Sequence, residues 1–262
     1  VTENPRVVLF SSGFWPGLQV RLMVGLLLTA VMLFLGRPAY ADGLIYRLPD
    51  DGSWVQYQLQ GIADTKGAAI NVQGTVRVSS VGKSFVNGET CRWIEFDATL
   101  KVAADSEIKA RAKVLIPEKL LVKGKDPSEM ILKLWGQFNV NPLVQLPSLD
   151  ENETHALRLA LTGPLMDEKK LDAIAVVAGK VGNLDAAGVQ GTQSFKVPGD
   201  NTVTGKVTKR LSDKIHFGVV EYDSEWEIKP NGKQDEPNTQ FTFRLTFEEQ
   251  GTGAQSAMPD AQ

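Results

Sequence analysis

The chain has 262 residues and a mass of 28.6 kDa, with 42% hydrophobic and 23% charged residues, figures that exclude collagen, low-complexity disorder and a multi-span membrane protein. Its formal charge is -3, and the first 41 residues hold Arg6, Arg21 and Arg37 against Glu3 alone, leaving 25 basic against 30 acidic residues beyond them. A mildly acidic chain with no basic cluster repels phosphate, so nucleic acid is excluded as a partner.

From Leu22 to Leu35 the sequence is LMVGLLLTAVMLFL, preceded by Arg21 and followed by Gly36, Arg37, Pro38 and then Ala39-Tyr40-Ala41. A basic flank, a short apolar run and a small-x-small site have the layout of a secretory signal. Fourteen residues of helix span about 21 Å, short of a hydrocarbon core of about 30 Å, so a retained anchor is the lesser alternative. Residues 1–41 are therefore expected to be a leader with its apolar core at 22–35 and cleavage after Ala41. Val1 to Gln19 are too long and too polar for a signal's basic region, which places the expected start at Val20 or Met23. No Cys stands at Asp42 or its neighbours, so lipid modification there is not indicated. An exported protein in the bacterial periplasm or medium is the expectation, touching membrane only through the signal segment if that stays uncleaved. With one cysteine, Cys91, it has no internal disulfide and depends on its core. Cys91 is expected to be a small buried hydrophobe, with a thiol activated by neighbouring Arg92 as the alternative.

Beyond Asp50-Asp51-Gly52, Val55, Tyr57 and Leu59 alternate with Gln56, Gln58 and Gln60, the period-two pattern of a strand with one buried face. Ile70, Val72, Val76 and Val78 repeat it with Gly74 in register. Ile94, Phe96, Ala98, Leu100 and Val102 form a third run and Ile108, Ala110, Ala112, Val114 and Ile116 a fourth. Asn87-Gly88 predicts a tight turn before Cys91, and Ala103-Ala104-Asp105-Ser106 a hairpin.

The middle third changes period. Asp126-Pro127-Ser128-Glu129 is a helix-start signal, and Ile131, Leu134, Trp135 and Phe138 follow at i, i+3, i+4 and i+7, which predicts a helix with one apolar stripe facing the sheet. Ser148 and Glu151 predict a second helix through Leu157, Leu159 and Leu161. Asp167 opens a third through Leu171, Ile174, Ala175 and Ala178, ending near Gly179 or Gly182. Alternation returns in Val203, Val207 and Leu211, then Val220, Tyr222, Trp226 and Ile228, then Phe241, Phe243, Leu245 and Phe247. Pro230-Asn231-Gly232-Lys233 predicts the turn before the last strand. Residues 250–262 show no periodicity and are expected to be disordered or laid along the surface. The expected fold is α+β, one domain over 42–249: a large curved antiparallel sheet, half-barrel-like, with central helices packed on one face.

The catalytic inventory is thin. His155 and His216 have no partners at metal-ligand spacing, and there is no GxSxG elbow, P-loop or GxGxxG after a strand, so no metal, no cofactor and no catalytic residue is assigned. Glu221, Asp223, Glu225 and Glu227 occupy alternate positions of one strand, hence one face. Such a ladder suits a cation or the acid/base pair of a hydrolase. The favoured reading is the water-facing side of a half-buried sheet, balanced by Lys and Arg on neighbouring strands.

On the other face, Tyr57, Phe96, Tyr222, Trp226, Phe241, Phe243 and Phe247 join Trp135 and Phe138 of the first expected helix. A twisted sheet incompletely covered by helices leaves an apolar cavity, which makes Trp135, Phe138, Tyr222, Trp226 and Phe243 the candidate ligand-binding residues. The alternative is that these rings simply fill the core.

The order of signal, long strands, central helices and more long strands resembles the Lol-type half-barrel carriers of lipoproteins or lipids. No position matches a motif of those carriers, so no binding residue is carried over. The stretches SWVQYQL, CRWIEF, ARAKVLIPEKLL, HFGVVEYDSEWEI and GTGAQSAMP also resemble an uncharacterised family of bacterial exported proteins, which implies export and a shared fold and nothing about a substrate. The functional expectation is a non-enzymatic envelope protein that binds an apolar ligand, such as a lipid, or an acylated partner such as a lipoprotein, between sheet and helices. A structural or interaction module with a filled core, contacting an envelope protein, is the alternative, and a hydrolase using the carboxylate ladder is a third reading.

Overall fold

A computed structural model of the chain describes residues 44–65, 68–103, 106–120, 131–138, 144–145, 165–197, 201–229 and 239–258. Among the described residues eleven strands make one antiparallel sheet: β1 (Trp54–Thr65), β2 (Ala68–Val86), β3 (Glu89–Ala103), β4 (Ser106–Pro117), β5 (Lys133–Phe138), β6 (Val144–Gln145), β7 (Met166–Ala178), β8 (Gly182–Val197), β9 (Asn201–Leu211), β10 (Val219–Lys229) and β11 (Thr239–Gly251). The order across the sheet is β6-β5-β4-β3-β2-β1-β11-β10-β9-β8-β7. The chain thus runs outward from the centre to one edge, reappears at the other edge and returns, so that its first and last strands pair in the middle.

Alternation decides which face is which. Val55, Tyr57 and Leu59 of β1 oppose Val78, Val76 and Gly74 of β2 and Leu245 and Phe247 of β11 on one face, and every apolar side chain of that row is at most 4% exposed. The same parity carries through Ile94 and Leu100 of β3, Val114 and Ile116 of β4, Val203 and Val207 of β9 and Tyr222 of β10, which together form one continuous core. Leu44, Ile45, Ile215 and Phe217, outside the strands, add to it. The turn between β2 and β3 is the expected one: Val86 pairs with Glu89, and Asn87 and Gly88 both have positive φ, 52° and 81°, the two-residue geometry that Asn-Gly favours.

The sheet curls on itself. A single-helical turn, Gly179–Val181, joins β7 to β8, and Lys180 reaches Glu249 of β11 at 2.7 Å although β8 and β11 are three strands apart. A flat sheet would separate them by about 14 Å.

The α+β class is overturned. Among the described residues the only helical turns are Glu118–Leu120 and Gly179–Val181, three residues each. The expected helix through Ile131, Leu134, Trp135 and Phe138 is β5 from Lys133 onward, hydrogen-bonded to β4 with Val114 opposite Leu134 and Lys113 opposite Trp135. Four apolar residues in eight positions fit a helical stripe, but Leu134 and Trp135 are adjacent, and a strand sends adjacent side chains to opposite faces. The open edge of β4 gives these six residues backbone partners along one side, and helix propensity of a few tenths of a kcal/mol per residue is too weak to override that tertiary context. The expected third helix, from Asp167 to Ala178, is β7. Its partner β8 fixes it through a register with two irregularities, and Gly179 and Gly182, whose positive φ suits a helix end, instead turn the hairpin. The expected second helix, from Ser148 to Leu161, lies outside the described residues, as do the leader with its signal and the turn at Pro230–Lys233.

The closing segment is held in place as far as Met258. Ala254 donates its backbone N–H to Gly52 at 2.8 Å, and Met258 is buried. No helix among the described residues is long and apolar enough to cross a membrane.

Candidate functional site

Two faces of the sheet carry chemistry. On the inner face, β8 to β11 and β1 place their side chains in rows set by register. One row runs Gln193, Gly205, Trp226, Phe241, and the next runs Gly191, Val207, Ser224, Phe243, Gly61. A third brings Val189, Lys209, Tyr222, Leu245 and Leu59 together. Trp226 stacks on Phe241 with ring centroids 6.1 Å apart and planes 15° from parallel, and Phe241 meets Phe243 at 5.5 Å. The rings lie flat on the sheet because the positions beneath them have no side chain: a Cβ at Gly205 would fall within the indole of Trp226, and one at Gly61 within the ring of Phe243. Trp226 is 4% exposed and Phe243 2%.

Polar groups are set into the same wall. Gln193, Lys209 and Ser224 are buried, and the Lys209 ammonium lies 5.5 Å from the centre of the Tyr222 ring. The Ser224 hydroxyl is out of water and has no hydrogen-bond partner among the described residues. Burial pushes the phenols of Tyr222 and Tyr57 up, well beyond the ordinary tyrosine range, so both stay neutral, and the Tyr57 hydroxyl donates to the Val219 carbonyl at 3.2 Å.

Of the residues singled out in the sequence, Trp135 does not share a wall with Tyr222, Trp226 and Phe243. Tyr222, Trp226 and Phe243 lie together on the inner wall. Trp135 lies on the outer face, in the row of Lys113, six strands away from β10. Phe138 pairs with Ala110 at the far end of β5. Residues that the sequence reading passed over, Gln193, Lys209 and Ser224, belong to the wall that Trp226 and Phe243 build. Their only sequence signal is parity, since each falls at a core position of its strand although it is polar.

The outer face of the same strands is an open polar trough. It holds about 580 Å³ over β2, β1, β11, β10 and β9, with Gln60, Asn71, Gln73, Asp223, Glu225 and Arg244 on its sides, and about 390 Å³ more toward β8. The carboxylate ladder stands here and is matched by cations. Asp223 takes two hydrogen bonds from Arg244, at 2.6 and 3.2 Å, and Glu227 lies 3.1 Å from Lys229. Glu221 and Glu225 stand opposite Arg210 and Lys206 in register. Such a face is a solvated, charge-balanced one. His216 is tied into the backbone, its Nδ1 3.2 Å from the Trp54 carbonyl, and His155 lies outside the described residues. Among the described residues no group of three or more His, Cys, Asp and Glu is placed to hold a metal ion.

A second polar cluster lies on the outer face of β3 and β4. Glu95 and Lys113 oppose each other 3.6 Å apart, both buried, under residues Ser256 to Met258.

No family model matches the chain, and no curated protein matches it. Among solved structures it is similar to a protein assigned as exported, with a YmcC-like fold, from Bacteroides fragilis, at 11% identity over 82% of this chain and all of that one, with a TM-score of 0.35. It is also similar to a protein assigned as a lipoprotein from Parabacteroides distasonis, at 11% identity over 80% of this chain and all of that one, with a TM-score of 0.33. A β-barrel-like protein of the domain of unknown function DUF1849 from Brucella abortus matches at 9% identity over 79% of this chain and 98% of that one, with a TM-score of 0.27. One of these neighbours is named as an exported protein, one as a lipoprotein and one by a domain of unknown function. At such TM-scores the likeness carries no argument about what the chain binds.

Proposed function

We propose that the protein is a non-enzymatic module of the bacterial cell envelope, exported by its leader, with a filled core and an outer surface that contacts an envelope partner. The observation that supports this is the closed inner wall: Tyr222, Trp226, Phe241 and Phe243 are each at most 4% exposed, and two of the rings are seated over glycines. Rings held in that way act as core. The charge-matched outer trough is polar and open, which suits contact with a partner better than chemistry.

A second reading has one observation in its favour. Gln193, Lys209 and Ser224 are set into an otherwise apolar wall, and an apolar site with a few convergent polar groups is how a pocket orients a lipid or the acyl chain of a lipoprotein. No cofactor enters either reading.

Native and denaturing mass spectra of the purified chain, read together with urea denaturation of Trp226→Ala, separate the two. The filled core predicts a single apo mass and a loss of about 3 to 5 kcal/mol in the variant. A lipid that leaves on denaturation, and that Trp226→Ala no longer retains while keeping its stability, would instead establish the ligand-binding wall.

A further inference from the structure

The polar trough on the outer face of β1, β2 and β8 to β11 is built by register, with one side chain from each strand. Gln73, Gln60, Arg244, Asp223, Thr208 and Gln190 stand in one row across the six strands. Neighbouring strands lie about 4.8 Å apart, so the row is about 24 Å long. The row beside it runs Asn71, Ile62, Thr242, Glu225, Lys206 and Thr192. Side chains of both rows wall the open hollow of about 580 Å³, which has the size of a small-ligand site.

The charges of the hollow are spent on one another. Arg244 donates twice to Asp223, and Glu225 stands opposite Lys206 in register. What remains are neutral groups. Gln56 and Gln190, outside the hollow, are bound into the chain, by Glu248 at 2.8 Å and by Thr208 at 3.1 Å. Gln60, Asn71 and Gln73, inside it, make no side-chain hydrogen bond among the described residues. They surround Ile62, which is 47% exposed and directly opposite Asn71. Amide side chains both donate and accept, so three of them around one apolar side chain match an acetamido group: the amides meet its N–H and carbonyl, and Ile62 meets its methyl.

Other ligand classes fit less well. A protein partner anchors through aromatic and large apolar side chains at the centre of its interface, and Ile62 is the sole exposed large hydrophobic among the described residues of the hollow. A polyanion is opposed by Glu221, Glu225 and Glu227 along β10. We propose that the hollow binds a neutral glycan of N-acetylated amino sugars lying across the strands, with Gln60, Asn71 and Gln73 on an acetamido group and the Arg244–Asp223 pair on ring hydroxyls. The site rests on the reading that the outer trough contacts an envelope partner, and it gives that partner a chemistry.

The test uses the full chain and two sugars, a β-linked tetramer of N-acetylglucosamine and the corresponding tetramer of glucose. Each is titrated to about 10 mM and followed by calorimetry and by the side-chain amide signals of isotope-labelled protein. The acetylated sugar is expected to bind at one equivalent, about fivefold more tightly than the glucose tetramer, and to shift the signals of Gln60, Asn71 and Gln73. Gln60→Ala combined with Asn71→Ala should weaken it about tenfold, because two neutral hydrogen bonds are lost. Ile62→Ser should abolish the preference between the two sugars. All three positions are exposed, so the urea midpoints of these variants should stay at the wild-type value. No saturable binding of the acetylated sugar, equal binding of the two sugars by the wild type, or wild-type affinity in the double variant would overturn the proposal. A photo-crosslinker at Thr242 that captures an envelope protein in place of glycan would overturn it as well, while leaving the envelope-partner reading in place. The filled core is tested on the opposite face by Trp226→Ala and does not fall with this site.

Discussion

At the scale of single residues, buried polar groups are the informative ones. Arg92 is 3% exposed and spends its guanidinium on Glu118, on the Pro49 carbonyl at 3.0 Å and on the Ser80 hydroxyl at 2.7 Å, tying β3 to the segments before β1 and after β4. Burial works to raise the Glu118 carboxyl, but the hydrogen bond and charge of Arg92, with Lys83 3.4 Å away, outweigh it and hold the group below its ordinary value. A depressed carboxylate contributes stability above its unfolded pKa of about 4.3, and that contribution is lost as pH falls through the folded value. Denaturation midpoints measured from pH 7 down to pH 3 should therefore fall less steeply in Glu118→Gln than in the wild type, with the variant the less stable of the two at pH 7. Parallel curves would remove Glu118 from the acid response. Arg92 also shows how far sequence reaches at this scale. Its adjacency to Cys91 suggested an activated thiol, yet Cys91 is fully buried and its thiol is pushed up, by burial first and by Glu89 next. Neighbours in sequence on a strand point to opposite faces, so adjacency in the chain is a poor guide to electrostatic contact.

At the scale of elements, the strands with long, regular alternation were legible and the marginal ones were not. β3, β4 and β11 carry four or five apolar residues at alternate positions, β1 carries Val55, Tyr57 and Leu59, and β10 carries Val220, Tyr222, Trp226 and Ile228 around Ser224; these positions face the core, while Glu95, Lys113 and Leu115 are buried on the other face as well. β5 and β7 do not. Residues 166–178, MDEKKLDAIAVVA, combine helix-favouring residues with a four-residue apolar spacing, and the strand is settled by its ladder with β8. The same dependence on a neighbour makes Gly74 a point of weakness. It lies in the middle of β2, and a Cβ there would run into the backbone carbonyl oxygen of Thr99 on β3, which has no flexible end to move aside. Gly74→Ala should cost about 1 to 3 kcal/mol, as other overpacked sites do. Chemical denaturation checks this, and a variant as stable as the wild type would show that β2 and β3 part without penalty.

At the scale of the whole molecule, the decisive feature is that β1 and β11 meet at the centre of the sheet. β11 gives Phe241, Phe243, Leu245 and Phe247 to the core and bonds β1 on one side and β10 on the other. Neither half of the sheet can complete its core before this last strand arrives, and pairing of such sequence separation makes folding slow. A chain ending before Thr239 should lose near-ultraviolet circular dichroism and cooperative unfolding and should self-associate through its open edges. A monomeric truncated chain with a sharp urea transition would show that the two halves are separate folding units.

The sequence by itself determined that the chain holds a large antiparallel sheet, where the regularly alternating strands lie and which side of each faces the core, though it assigned an α+β class, because alternation is a local property of an extended backbone and hydrophobic burial acts on it directly. Only the tertiary structure decided that the middle segments join the sheet as β5 and β7, that Trp135 stands on the opposite face from Trp226, and that residues 256–258 lie over Glu95 and Lys113. Those outcomes depend on which backbone edge and which buried charge are left unsatisfied once the regular strands have paired, a condition set by partners far away in the chain.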